Sequence, residues 1–117
     1  MSIFQSVVLV SKNDRILRFT VKDDALAVVN LTGFTAAIYK ITSRVTNKIA
    51  LLQKTLGGGV TITNATSGLI EVSLSDTDTD TLPAGRYYHE LRLTDATNND
   101  VTVMHGDCTV QDSALAT

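Results

Sequence analysis

A chain of 117 residues with 44% apolar content is long enough for one domain with its own core and too apolar to be disordered by composition. Its net charge of −2, with both signs scattered, argues against nucleic-acid binding, whose usual footprint is a basic patch or stripe. Lys12, Arg15, Arg18 and Lys22 come nearest to one, and Asp14, Asp23 and Asp24 break them up.

Along the chain, apolar residues recur with a period of two and almost never with that of a helix. Residues 5–10 read as a first strand, preceded by a short apolar start, so residues 1–10 form either an arm or an edge strand. The run Val7–Val10 is too short for a signal peptide's apolar core, and no stretch reaches bilayer length, so the chain is expected to stay soluble and to have no membrane partner. Ser-Lys-Asn-Asp at 11–14 is turn chemistry. Residues 15–22 are an amphipathic strand: Leu17, Phe19 and Val21 face one way, Arg18, Thr20 and Lys22 the other. Asp23 and Asp24 open a polar corner, and residues 28–31 form a short extended piece stopped by Thr32-Gly33.

Residues 34–42 read as a strand, 43–48 as a polar connection and 49–55 as another strand. Gly57-Gly58-Gly59 precedes a β-branched, alternating segment rather than a helix. It therefore reads as a turn needing positive φ, not as a phosphate cradle. Residues 60–63 and 69–74 form a hairpin, with Ile70, Val72 and Leu74 opposing Glu71 and Ser73. The one helical turn lies near 76–82, capped by Ser75 and favoured by Asp76 and Asp78 at its positive end. Residues 86–94 are the cleanest strand: Tyr87, His89, Leu91 and Leu93 oppose Tyr88, Glu90 and Arg92. After a polar loop at 95–100, residues 101–110 form the last strand, with a bulge expected near Gly106. Residues 111–117 read as a small, polar tail.

Seven to eight strands with turn signals every 8–12 residues predict an all-β, immunoglobulin-like antiparallel sandwich in a single domain over 1–117.

The chemistry is sparse. Asp76, Asp78 and Asp80 alternate like calcium-loop ligands, but Thr81 and Tyr87 stand where an EF-hand needs its glycine and its glutamate. His89 lies on an apolar face and could pair with His105 across a hairpin. Cys108, the only cysteine, falls on the opposite face of its strand from His105 and reads as a core residue. No nucleophile elbow or acid–base pair is visible. The expectation is therefore no enzyme, no cofactor and no metal site.

Several phrases point further: Phe19-Thr20-Val21-Lys22-Asp23 leading to Val29-Asn30-Leu31-Thr32-Gly33-Phe34-Thr35-Ala36, then Gly59-Val60-Thr61-Ile62, Gly68-Leu69-Ile70-Glu71-Val72 and Leu82-Pro83-Ala84-Gly85-Arg86-Tyr87-Tyr88-His89-Glu90-Leu91. Their order over residues 12–110 resembles the immunoglobulin-like N-terminal domain of the phage baseplate upper protein family. That resemblance implies a non-catalytic component of a tailed-phage virion, assembled in the host bacterial cytoplasm. The family's receptor-holding sequence has no counterpart in the seven residues after Val110, so the expectation shifts to a capsid decoration or cement protein. A tail or baseplate adaptor is one alternative, and a carbohydrate- or cell-surface-binding module another. The expected partners are other virion proteins and further copies of the chain. The contacts are expected at strand edges and arms: Phe4, Val7, Val8 and Leu9 at the N-terminus, with Tyr39 and Tyr88 as aromatics suited to a sugar.

Overall fold

A computed structural model describes residues 3–10, 13–22, 25, 27–43 and 51–111. The corner at 23–24, the connection at 44–48 and the tail at 112–117 lie outside the described residues.

Among the described residues, nine strands and one short helix follow one another. They are β1 (Ile3–Phe4), β2 (Val7–Val10), β3 (Arg15–Thr20), β4 (Phe34–Thr42), β5 (Leu52–Leu56), β6 (Gly59–Asn64), β7 (Leu69–Leu74), α1 (Asp76–Asp80), β8 (Gly85–Asp95) and β9 (Asp100–Gln111). A continuous hydrogen-bonded path runs β1-β9-β8-β4-β5-β6-β7-β3, with β2 also on β9. The path folds over at the β5–β6 junction. One layer is then β1/β2-β9-β8-β4-β5 and the other β6-β7-β3. The inward residues of both layers belong to a single core that includes Leu17, Phe19, Ile70 and Val72 from one side and Tyr39, Ile41, Leu91 and Leu93 from the other. Antiparallel pairing of β3 with β7 and of β4 with β8, joined to a parallel N-terminal strand on β9, makes the fold an immunoglobulin-like sandwich.

Alternation decides which face each strand buries. In β3, β7 and β8 the residues assigned inward from sequence are buried, apart from half-buried Tyr87 at the start of β8. The glycine triplet is a turn that carries the chain from one layer to the other. Gly57 and Gly59 take φ of 83° and 113°, a region that side chains disfavour.

Four expectations need correction. The first strand, expected at 5–10, begins only at Val7, because Gln5 and Ser6 are off the ladder, and a separate two-residue strand precedes them at Ile3–Phe4. The piece at 28–31 forms only an isolated bridge, Lys22 to Val28. The strand expected at 49–55 spans Leu52–Leu56. The irregularity of β9 is at Val103, not Gly106: Leu91 registers with Met104 and Arg92 with Thr102, leaving Val103 extra.

The helix forms through its cap. Ser75 accepts from the Asp78 N–H (3.1 Å), and the Asp78 carboxylate accepts from the Ser75 N–H (2.9 Å), a reciprocal capping box. Asp78 also pairs with Lys54 Nζ at 2.8 Å, tying the helix to β5. Burial by itself would raise the Asp78 carboxyl; the hydrogen bonds from Lys54 and Ser75 and the Lys54 charge outweigh it and hold it below the usual range. The Tyr87 hydroxyl donates back to the Pro83 carbonyl at 2.5 Å, a corner bond that immunoglobulin-like sandwiches make with a tyrosine at the start of a strand.

Candidate functional site

Two features stand apart from ordinary sandwich packing: a buried polar chain and a charged outer face.

The polar chain sits where immunoglobulin domains of antibodies keep an apolar tryptophan against a disulfide. In those domains the second cysteine follows the corner tyrosine by two residues. Here that position is His89, and the aromatic on the equivalent of the neighbouring strand is Tyr39. Both have no exposed surface. Their rings meet edge to face with centroids 5.7 Å apart, and Tyr39 Oη lies 2.9 Å from His89 Nδ1. The other ring nitrogen, Nε2, lies 2.6 Å from the Gln5 carbonyl. A carbonyl can only accept, so Nε2 carries the proton and donates to it, and Nδ1 accepts from the Tyr39 hydroxyl. Every polar group is thus satisfied around a neutral imidazole. Burial pushes the His89 pKa below 6.5, against the raising effects of the Gln5 hydrogen bond and the Asp107 charge, with His105 adding to the lowering. Burial, and secondarily Cys108, pushes the Tyr39 hydroxyl well above its usual value.

The outer face belongs to β9, β8, β4 and β5. Cross-strand register places His105, Glu90, Lys40 and Gln53 in one row, and Thr102, Arg92, Ile38 and Thr55 in the next. Glu90 is the hub. Its carboxylate accepts from the Tyr88 hydroxyl (3.2 Å) and from Thr102 Oγ1 (3.4 Å), and it pairs with Arg92 at 3.5 Å. Burial raises the Tyr88 hydroxyl pKa, and the adjacent Glu90 raises it further. Ile38, Lys40, Glu90 and Arg92 line a shallow depression.

The residues expected to make contacts are dispersed by this geometry. Val7 and Leu9 point into the core and are buried, because alternation on β2 turns them inward. Val8 between them is 48% exposed. Phe4 pairs with His105 through its backbone. Tyr39 is wholly buried and offers no face to a sugar, and the Tyr88 hydroxyl is engaged by Glu90. His89 and His105 do not pair across the hairpin. His89 registers with Gly106, and His105 registers with Glu90 on the outer face. Among the described residues, no group of three or more His, Cys, Asp or Glu is placed to hold a metal. Asp76 and Asp78 spend carboxylate oxygens on the backbone N–H groups of Thr77 and Ser75. Cys108 is buried, which pushes its thiol up to about 12 and leaves it protonated and inert.

Sequence reasoning missed Gln5, whose role is a backbone carbonyl and leaves no mark in residue type. It also missed Ile38 and Lys40, which join Glu90 and Arg92 only through cross-strand register.

No family model matches the chain, and no curated protein matches it. Among solved structures, it is similar to a chain from work on multimeric cell-adhesive interactions of VGSC beta subunits, at 16% identity and a TM-score of 0.39, covering 94% of this chain and 92% of that one. It is similar also to the extracellular domain of the voltage-gated sodium channel beta4 subunit, described as forming parallel homodimers that explain a role in cell–cell adhesion, at 16% identity and a TM-score of 0.38 over the same shares. These findings correct the expected function. Both structures come from work on sodium channel beta subunits in cell adhesion and neither is a virion part, and the reading as a capsid decoration protein or tail adaptor is withdrawn.

Proposed function

We propose that this chain is a non-enzymatic recognition domain of the surface-binding kind, and that it engages a protein partner with the outer face of its β9-β8-β4-β5 layer. One observation carries the reading: cations and an anion alternate on that face around a shallow depression, with Glu90 flanked by Lys40 and Arg92 and with Ile38 beside Arg92. A face with adjacent opposite charges is complementary to itself under a two-fold rotation, because residue i can meet residue j while j meets i. The partner on this reading is a second copy, with Lys40 and Arg92 of each facing Glu90 of the other. Charged pairs at such a contact set orientation and encounter rate more than raw affinity.

The test is bead aggregation by the immobilised chain, followed at rising salt. The wild type is expected to cluster beads at low salt and to lose the effect as screening sets in near about 0.15 M. Arg92→Glu, at a side chain about half exposed, should abolish clustering with the fold intact by circular dichroism. Clustering that survives Arg92→Glu and Lys40→Glu together sinks the reading.

A further inference from the structure

Among the described residues, the backbone ladder that holds residues 3–10 is made with one strand. Both β1 and β2 pair in parallel, and with β9 alone. Between them the chain dips inward at Gln5. Its N–H donates to the His105 carbonyl (2.8 Å), and its carbonyl accepts from His89 Nε2 (2.6 Å). Gly106 permits this approach, since a Cβ there would collide with the Gln5 carbonyl. The N-terminal segment is therefore clasped by a buried, neutral histidine.

A second proton on that ring would reverse the bond to Tyr39 and leave the hydroxyl's own proton without its present acceptor. It would sit on Nδ1, against the Tyr39 hydroxyl that at present donates to it. From β4 the ring faces Tyr39, and from the N-terminal segment it faces the Gln5 carbonyl. From β9 the titratable neighbours are His105, Asp107 and the buried Cys108 thiol. Asp107 is exposed and registers with outward-facing Tyr88, so water screens its charge. Lys54, in register with Tyr39, is already paired with Asp78. A buried imidazolium is then relieved most directly by water, and the shortest route to water is to lift the strand that covers the ring.

We propose that protonation of His89 releases residues 3–10 from β9, and that the bared β9 edge accepts the same segment from a second copy of the chain. The edge is already shaped for that one sequence. It holds the register of Val7–Val10 against residues 108–111, core positions for Val7 and Leu9, and a missing Cβ opposite Gln5. A second copy supplies all of these unchanged, so an exchanged dimer keeps every contact of the monomer. The exchange uses the sheet edge and is independent of the outer-face reading.

The test mixes two differently tagged forms of the full chain near pH 7.5, lowers the mixture to about pH 5, and returns it. Mixed dimers are expected only after the acid step. Their yield should rise by up to about tenfold per pH unit below about 6.5. His89→Gln keeps a neutral side chain and should erase the response, whereas Arg92→Glu should leave it intact. Val8 and Thr109 are register partners. Val8→Cys with Thr109→Cys, in a Cys108→Ala background, should block exchange when oxidised before the acid step and should link two chains when oxidised after it. Absence of mixed dimers after the acid step overturns the proposal, as does an equal yield from His89→Gln. If the variants fail to fold, hydrogen exchange of the wild type decides: protection of residues 7–10 must fall near pH 5 ahead of that of β4, and simultaneous loss overturns the proposal.

Discussion

At the residue scale, the interior holds one satisfied polar chain, Tyr39 and His89, in a mostly aliphatic core. Tyr39 and His89 are large, fully buried and polar, yet no buried side-chain nitrogen or oxygen among the described residues lacks a partner. Such a chain is costly when half made, because a buried donor or acceptor left alone forfeits its hydration. Tyr39→Phe removes only the hydroxyl and leaves His89 Nδ1 without its donor. The expected loss is about 1–3 kcal/mol of unfolding free energy by urea titration. A loss near zero would mean that the hydroxyl contributes packing alone. The alternation of β8 placed His89 on the dry face, so its burial was legible from residue order. Its partners were not, because one lies fifty positions away on β4 and the other is a backbone carbonyl.

At the element scale, strands whose two faces differ in polarity read clearly, and segments fixed by partners did not. β3, β7 and β8 each carry three or more alternating pairs, and a slip of one residue would expose their whole apolar set. The N-terminal strand read as continuous from residue 5. The structure starts it at Val7, because Gln5 turns its carbonyl to His89 and Gly106 leaves room for it. The helix is the opposite case, since its local chemistry suffices. Ser75, Asp76 and Asp78 supply the cap and the acidic first turn that a five-residue helix needs. Ser75→Ala should therefore cost about 1 kcal/mol, measured by chemical denaturation. The loss should grow when Lys54→Met also removes the second hold on Asp78; strictly additive losses would show that the cap and the ion pair act separately.

At the scale of the whole molecule, two partly or wholly buried groups, His89 and Asp78, make stability depend on pH below neutrality, and both signs point the same way. The folded pKa of His89 lies below its unfolded value of about 6.5. Its contribution is complete above that value and is lost as pH falls from there through the folded pKa, where the unfolded chain takes up the proton first. The carboxyl of Asp78 is likewise held below its unfolded value, so its contribution is present above about pH 4 and disappears as acid titrates the folded form. The melting temperature should accordingly be flat from about pH 7 to 8, decline below about 6.5 and decline again below about 4. His89→Gln should remove the first decline and leave the second. A melting temperature that rises between pH 6.5 and 5 would reverse the assignment of His89 as a neutral, buried base.

Residue order alone determined that this chain is a β-sandwich, because a period of two admits only strands with one dry face, and short-range turn and cap chemistry marks where they end. It determined the inward residues of the central strands and the helical cap for the same reason: each depends on neighbours within a few positions. Tertiary structure decided whatever depends on pairing across long separations. It started the N-terminal strand at Val7, buried Val7, Leu9 and Tyr39, gathered Ile38, Lys40, Glu90 and Arg92 on one face, and set a neutral histidine beneath a strand from the far end of the chain. Register between distant strands is a property of the folded sheet, and no local pattern of residues encodes which side chains it brings together.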